Sequence, residues 1–388
     1  MVGDDVRLIA FYLPQFHPIP ENDRVWGKGF TEWTNVTKAK PLFRGHYQPH
    51  LPADLGFYDL RLPEARQAQA ELAQEYGIYG FCYYHYWFNG KRLLQRPFDE
   101  VLQSGEPAFP FCLCWANEHW TRAWDGDLNG VTVEQRYSEE DDRNHIHWLL
   151  TAFRDRRYIR LNGRPLFLVY RAHDLPSPLR TTTLWREEAQ KAGVGELYLC
   201  RVESYDSPLD DPADSGFDAA VEFHPDHEVL QTIRPLYTGA AWRALRRLGL
   251  ASRAVGTNWV YRYADWAAAA ARRPEPPYKR FPCVVPSWDN SARCKIRAAI
   301  FVGSTPELYE RWLEAGIRRS LALGRGEQVV FVNAWNEWAE GNHLEPDRRY
   351  GRAYLEATRR ALEYFRQGQE SAFPPRATAP RECAAEPR

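Results

Sequence analysis

Methionine is nearly absent, Met1 being the only one in 388 residues, and this reads as compositional bias without functional content. Neither sign of charge predominates. Lys+Arg 50 against Asp+Glu 51 gives a formal net charge of −1, which argues against a general attraction to nucleic acid or to an anionic membrane and leaves only local patches open. No run of 18 apolar residues occurs, so no membrane-spanning helix is expected, and the acidic "MVGDD" leads straight into an apolar run instead of a secretory leader. Cysteine is sparse and odd in number. Of the seven, Cys82, Cys112, Cys114, Cys200 and Cys283 lie inside apolar runs without metal-ligand or disulfide spacing, so they read as reduced core residues of a cytoplasmic protein. No Gly-rich phosphate loop of either common form is present. A formal Asp-x-Asp, Asp125 and Asp127 in "WDGDLNG", has the composition of a turn more than of a metal site.

Aromatic residues, by contrast, make up 14% of the chain, with Trp 15 and Tyr 21. That exceeds what a core needs and suits a cleft that stacks rings, although any single Trp is more simply read as core filling. Eight short apolar runs alternate with helix-like stretches: 6–13, 78–87, 109–115, 165–171, 196–202, 217–223, 280–288 and 328–335. Continuous apolar runs are what strands buried on both faces require, and this points to a parallel sheet. Helix signals stand between them. Pro63 opens a stripe of Ala65, Ala68, Leu72 and Tyr76 that Gly77 closes; Ser138 caps a first turn rich in acids; Thr305 precedes Pro306; and a last helix is expected within 348–365. The pattern predicts an α/β fold, a (β/α)8 TIM barrel over residues 1–367, with a doubly wound open sheet as its rival. Insertions at 14–60 and 226–279 are expected to form long loops over the C-terminal face, and the Pro- and Ala-rich tail 368–388 to be disordered.

In such a barrel every strand delivers its C-terminal end to one face. Polar and aromatic residues collect at those ends. Strand one ends in Tyr12, Gln15 and His17; strand two in Tyr84, His85, Tyr86 and Trp87; strand three in Trp115, Asn117, Glu118, His119 and Trp120. Strands four to seven end in Tyr170 and Arg171, in Glu203, in Glu222 and His224, and in Trp288, Asp289 and Asn290. Strand eight ends in "NAWNEWAEGNHLEP", which holds Asn333, Trp335, Asn336, Glu337, Trp338 and Glu340. Aromatic platforms interleaved with amides, histidines and carboxylates, without a basic cluster, fit an oligosaccharide or polysaccharide. Cleaving a glycosidic bond calls for two carboxyl groups, and Glu337 and Glu340, three apart, share one side if they lie on a single helical turn. Their closeness, with Trp335 and Trp338 nearby, would raise the pKa of one of them. The plainer alternative is a pair of solvated loop carboxylates. Glu32 is expected in the first long loop over the same face, and Glu345 as a supporting or capping residue.

Long blocks then resemble one family: "AFYLPQFHPIPEND", "WGKGFTEWTNV", "GHYQPHLPADLGFYDL", "YGIYGFCYYHYWFNGKRLL", "FCLCWANEHWTRAWDG", "RPLFLVYR" and "NAWNEWAEGNHLEPD". The chain is similar to the glycoside hydrolase family 99-like proteins, also labelled WbsX-type glycosyltransferases and associated with polysaccharide biosynthesis. Family 99 enzymes proper are retaining endo-α-mannosidases built on a (β/α)8 barrel, with no metal requirement. Their strand-eight motif, Glu-Trp-His-Glu, aligns with Glu337, Trp338, Ala339 and Glu340, so both glutamates match and the His does not. The resemblance implies that Glu337 is the base assisting the substrate's own 2-hydroxyl and Glu340 the general acid that later turns base. Ala339, and "YLPQFH" at strand one, imply a sugar other than a mannoside. A glycosyltransferase is the second reading and a noncatalytic carbohydrate-binding barrel the third. The histidines near the cleft (His17, His46, His50, His85, His119, His224, His343) share no ligand spacing, so neither metal nor cofactor is expected.

Overall fold

The computed structural model describes residues 6–122, 127–205, 207–294 and 296–367. Asp125, the side chain of Asp127 and the tail 368–388 lie outside the described residues. Eight parallel strands form the barrel: β1 Arg7–Tyr12, β2 Ile78–Phe88, β3 Phe111–Trp115, β4 Arg164–Val169, β5 Tyr198–Tyr205, β6 Ala219–Asp226, β7 in two pieces Arg280–Phe281 and Cys283–Val284, and β8 Val329–Val332. Each pairs with the next, and β8 pairs with β1 from Arg7↔Val329 to Ala10↔Val332, so the sheet closes on itself. The fold is therefore a (β/α)8 barrel, not the open sheet. β7 is shorter than the apolar run 280–288 because Pro282 has no N–H to give to the ladder; its carbonyl still accepts from the Phe331 N–H at 2.9 Å.

Local signals account for most of the helices. Ser138 Oγ accepts from the Asp141 N–H at 3.0 Å to open Glu139–Phe153, and Thr305 Oγ1 accepts from the Leu308 N–H at 3.3 Å ahead of Pro306–Leu321. The last helix begins only at Ala353, later than its pattern suggests. Asp347 Oδ1 accepts from the backbone N–H groups of Arg349 and Tyr350 at 3.0 and 2.6 Å, and Gly351 takes φ +52°, so the segment before Ala353 is held as a turn.

Strand geometry divides side chains into two sets. Phe11, Tyr84, Phe223 and Phe331 point into the barrel, where Phe11 packs on the other three at ring distances of 5.3–5.6 Å. Their neighbours in sequence point outward to the helices: Tyr12 to Gln69, His85 to Trp148, His224 to Trp312. Trp115, Trp185, Trp266, Trp335 and Trp338 are all fully buried, so much of the tryptophan fills the core.

The two insertions differ in use. Residues 14–60 carry the helices Pro20–Trp26 and Glu32–Lys38, which stand over the barrel mouth. The stretch 226–279 runs outward instead. Its strand Trp259–Arg262 pairs in parallel with Ala299–Val302, and Val260, Ala298 and Ile300 form a small core of their own against Leu42 and Phe43.

Candidate active site

A cavity of about 750 Å³ opens at the C-terminal end of the barrel. Its floor and one wall come from strand ends (Leu13, Tyr84, Tyr86, Ala116, Tyr170, Phe223), and the helix Pro20–Trp26 adds Trp26 and Arg24 at another side. Past β8 the chain makes a two-residue bridge, Asn336–Glu337 with Asn342–His343, around a 3-10 turn at Trp338–Glu340 that Gly341 ends at φ +57°. A Cβ at Gly341 would sit 3.1 Å from Asp289 Cβ, so the turn is closely packed as well as left-handed. The single turn brings both glutamates to one side.

Arg293, on the loop after β7, is the hinge of the site. Its Nη2 lies 2.8 Å from Glu337 Oε2 and 3.2 Å from Glu32 Oε2, and its Nη1 lies 2.7 Å from Glu340 Oε1. Sharing one guanidinium keeps the contacting oxygens of Glu337 and Glu340 within about 8 Å of each other, inside the range of paired-carboxyl glycoside chemistry. Gln15 Nε2 donates to Glu32 Oε1 at 2.9 Å and fixes the third carboxylate. Three carboxylates around one cation cannot all be ionised cheaply in a cavity wall. Burial, then Glu337 and Glu32, push Glu340 up to about 8 against the pull of Arg293. Glu32 is raised as well, chiefly by burial, and Arg293 is held well above its usual range by the three acids. Glu340 keeps 21% of its side chain open to the cavity, so its proton can reach a ligand.

Behind the turn stands Glu345. Its carboxylate accepts from Gln69 Nε2 at 2.6 Å, Trp338 Nε1 at 2.6 Å and Tyr58 Oη at 2.8 Å, and burial raises its pKa to about 7. It supports the turn, as its sequence position suggests. Trp338 also stacks on His343 at 3.8 Å. Among the described residues, His50, His343 and Asp347 are the group whose donor atoms could surround an ion, all within 4.8 Å. Their hydrogen bonds are internally satisfied. His343 Nδ1 gives its proton to the Glu345 carbonyl at 2.9 Å, which leaves Nε2 to accept from His50 Nδ1 at 3.0 Å, while Asp347 accepts from Tyr47 Oη at 3.0 Å. The arrangement works as a latch between the first insertion and the strand-eight loop.

The structure brings together Gln15, Tyr84, Tyr86, Glu118, Trp120, Trp288, Glu337 and Glu340 around the cavity. His119, Tyr170 and Arg171, named at the third and fourth strand ends, line it as well, and the remaining sequence candidates are scaffold. Tyr12 donates to Gln69 Oε1 at 2.6 Å, and His17 Nδ1 to the Pro14 carbonyl at 3.1 Å. Trp87 Nε1 donates to Asp141 at 2.9 Å on the helix side of the wall, and Trp115 Nε1 to the Trp87 carbonyl at 3.1 Å. Asn117 bridges to the Arg171 backbone, with Nδ2 to its carbonyl at 2.9 Å and Oδ1 from its N–H at 2.7 Å. Glu222 is paired with Arg319 and Arg280, and His224 faces Asp226 at 2.7 Å. Asp289 takes His46 and Gln48; Asn333 donates to the His224 carbonyl; Asn336 ties to the Leu13 backbone; Trp335 packs on Phe81. Trp338 is pinned to Glu345. Tyr12, Trp87, Trp115, Glu222 and His224 sit outside the wall because the strand period of two turns alternate side chains away from the barrel interior; the others are tied into loops and the turn past β8 by the contacts just given. Contrary to expectation, no described residue of 226–279 lines the cavity. Sequence reasoning missed Arg293, a basic residue in "DNSARCK" that only the fold brings to the acids, and the cavity face of "PENDRVW", whose helical amphipathicity was its one available signal.

A (β/α)8 barrel whose mouth holds clustered carboxylates and aromatic rings is the architecture of many carbohydrate-active enzymes. The family model described as Glycosyltransferase WbsX matches residues 8–358, and the chain belongs to that family. The WxcX protein of Xanthomonas campestris pv. campestris, from two strains, is 46% identical over 359 residues, 92% of this chain and 49% of its own length. The chain thus spans about half the length of the curated relatives it matches. Among solved structures, one titled "Glycoside hydrolase-like protein" aligns with a TM-score of 0.55 at 16% identity, covering 93% of this chain and 95% of the other. The family 99 endo-alpha-mannosidase of Bacteroides thetaiotaomicron aligns with a TM-score of 0.53 at 15% identity, covering 93% and 98%. At that identity the likeness speaks for the fold.

Proposed function

We propose that this chain acts on an α-linked glycan as a retaining, family 99-like glycosidase, with Glu340 as the proton donor and Glu337 as the base. The observation that carries this reading is the placement of Glu32, Glu337 and Glu340 around Arg293 in the wall of an aromatic-lined cavity, with Glu340 pushed up to about 8. A carboxyl that keeps its proton near neutrality can protonate the departing glycosidic oxygen. Glu337, 2.8 Å from the Arg293 guanidinium, takes the proton of the substrate's 2-hydroxyl as that oxygen displaces the leaving group at the anomeric carbon. Water then attacks the anomeric carbon and the bond to the 2-oxygen breaks; Glu340, now ionised, accepts the water's proton, and Glu337 returns its proton to the 2-oxygen. Tyr84, Tyr86, Trp120 and Trp288 offer faces and hydroxyls to sugar rings. Ala339 stands where the hydrolase motif has His, which speaks for a sugar other than mannose, within polysaccharide or cell-surface glycan metabolism in the cytoplasm. The family's own description supports glycosyl transfer as the second reading, in which a sugar hydroxyl replaces water.

One experiment separates the two. Wild type, Glu337→Gln and Glu340→Gln are incubated with α-linked oligosaccharides, with and without nucleotide sugars, and products are read by mass spectrometry. Hydrolysis by wild type alone supports the reading. Product only with an added donor, insensitive to both changes, overturns it.

A further inference from the structure

The net charge of −1 conceals an uneven distribution. Between Glu228 and Asp265 the chain runs 36 residues with six arginines and no Asp, Glu or Lys. This acid-free stretch is the outward-running part of the second insertion, which takes no share in the cavity. Its helix Gly239–Arg247 buries none of its residues, and just beyond it Leu248 and Leu250 are 70% and 73% exposed. Trp259 and Ile296 lie open as well, at 43% and 56%. Arg243, Arg246, Trp259 and Arg297 line one groove of about 400 Å³, which brings three arginines to the exposed Trp259, and Leu248 follows directly on the helix that supplies two of them. Arg246 is braced there by its bond to the Tyr237 carbonyl at 3.1 Å.

We propose that this face docks on an anionic lipid surface. The arginines meet headgroup phosphates, one of which the groove accepts, while Leu248, Leu250 and Trp259 enter the boundary between headgroups and acyl chains. Each half of the pattern needs the other. A soluble polyanion accounts for the arginines and leaves two leucines standing in water. A second copy of the chain, meeting this face with the same face, would oppose Arg243, Arg246 and Arg297 to their own copies. An anionic bilayer supplies both negative charge and an apolar layer and asks for no matching acidic patch. Among the described residues no helix is long and apolar enough to cross a membrane, and the contact proposed is a peripheral one.

The test is co-sedimentation of the purified chain with vesicles of pure phosphatidylcholine and of phosphatidylcholine containing phosphatidylglycerol. Variants are Leu248→Glu/Leu250→Glu and Arg243→Glu/Arg247→Glu, with circular dichroism to verify the fold. Wild type is expected to bind the anionic vesicles at least about tenfold better than the neutral ones, and about tenfold less when salt rises from 50 to 300 mM. Both variants are expected to lose about tenfold or more, while Glu340→Gln, remote from this face, binds like wild type. Equal binding to both vesicles, or anionic binding that either folded variant retains, overturns the proposal. So does failure to bind vesicles together with a dimer in light scattering, or with capture of a soluble acidic polysaccharide. Should a variant not fold, the lipid and salt dependence of wild type decides.

Discussion

At the end of β2, Tyr84 and Tyr86 enter the cavity, whereas His85 and Trp87, interleaved with them, turn to the helix layer and stack on Trp148 and His145 at 4.7 Å each. By residue type the outward pair looks the more functional. The same division repeats at β1 and β6: Phe11 faces in and Tyr12 out; Phe223 faces in, and Glu222 and His224 face out. Residue chemistry at a strand end therefore marks two populations. One side of the wall faces the cavity, and the other spends its polar atoms on locking helices to strands.

Four predictions press on that division, from the largest effect downward. Glu340→Gln and Glu337→Gln are expected to lower kcat about 10³-fold or more with the fold intact, measured by product release and thermal melting. On the outer side, Trp115→Ala is expected to cost about 3–5 kcal/mol of stability, read by denaturant titration, while activity per folded molecule stays within a few-fold. Trp120→Ala, at the mouth, is expected to raise KM about tenfold with melting unchanged, which steady-state kinetics checks. The smallest effect concerns pH. Glu340 binds its proton more tightly in the folded chain, with a pKa near 8, than in the unfolded chain. Its contribution therefore favours the fold at low pH and is lost as pH rises from the ordinary carboxyl range through about 8. Melting temperature is expected to decline over that window in wild type and to decline less in Glu340→Gln, while the rate falls about tenfold per unit above pH 8.

The barrel itself was legible because eight buried strands need eight continuous apolar runs, and those runs survive in the sequence from "VRLIAFYL" to "QVVFV". The acid pair was legible too, since spacing three with a following Gly341 is a turn signal. What the sequence concealed was sidedness. Tyr12, Trp87, Trp115, Glu222 and His224 were grouped with Tyr84 because the period of two was not applied within their strands; past β8, where a turn and a bridge replace the strand, that period no longer separates Trp335 from Glu337. Arg293 was out of reach on other grounds: its partners Glu32, Glu337 and Glu340 come from opposite ends of the chain, and no local pattern records that meeting. The second insertion was expected to be a cover because its length, and not the acid-free composition of residues 229–264 within it, was taken as the signal.

A matched pair of carboxylate-to-amide changes tests the central claim most directly, because Glu340 and Glu222 both stand near strand ends and differ in the side of the wall they face. The measurement is kcat/KM and melting temperature for Glu340→Gln and Glu222→Gln in parallel. The account predicts that Glu340→Gln abolishes turnover and keeps or raises the melting temperature. It predicts that Glu222→Gln, which weakens the buried contacts to Arg319 and Arg280, loses about 3 kcal/mol of stability with turnover per folded molecule preserved. Turnover that survives Glu340→Gln, or disappears in folded Glu222→Gln, would contradict it.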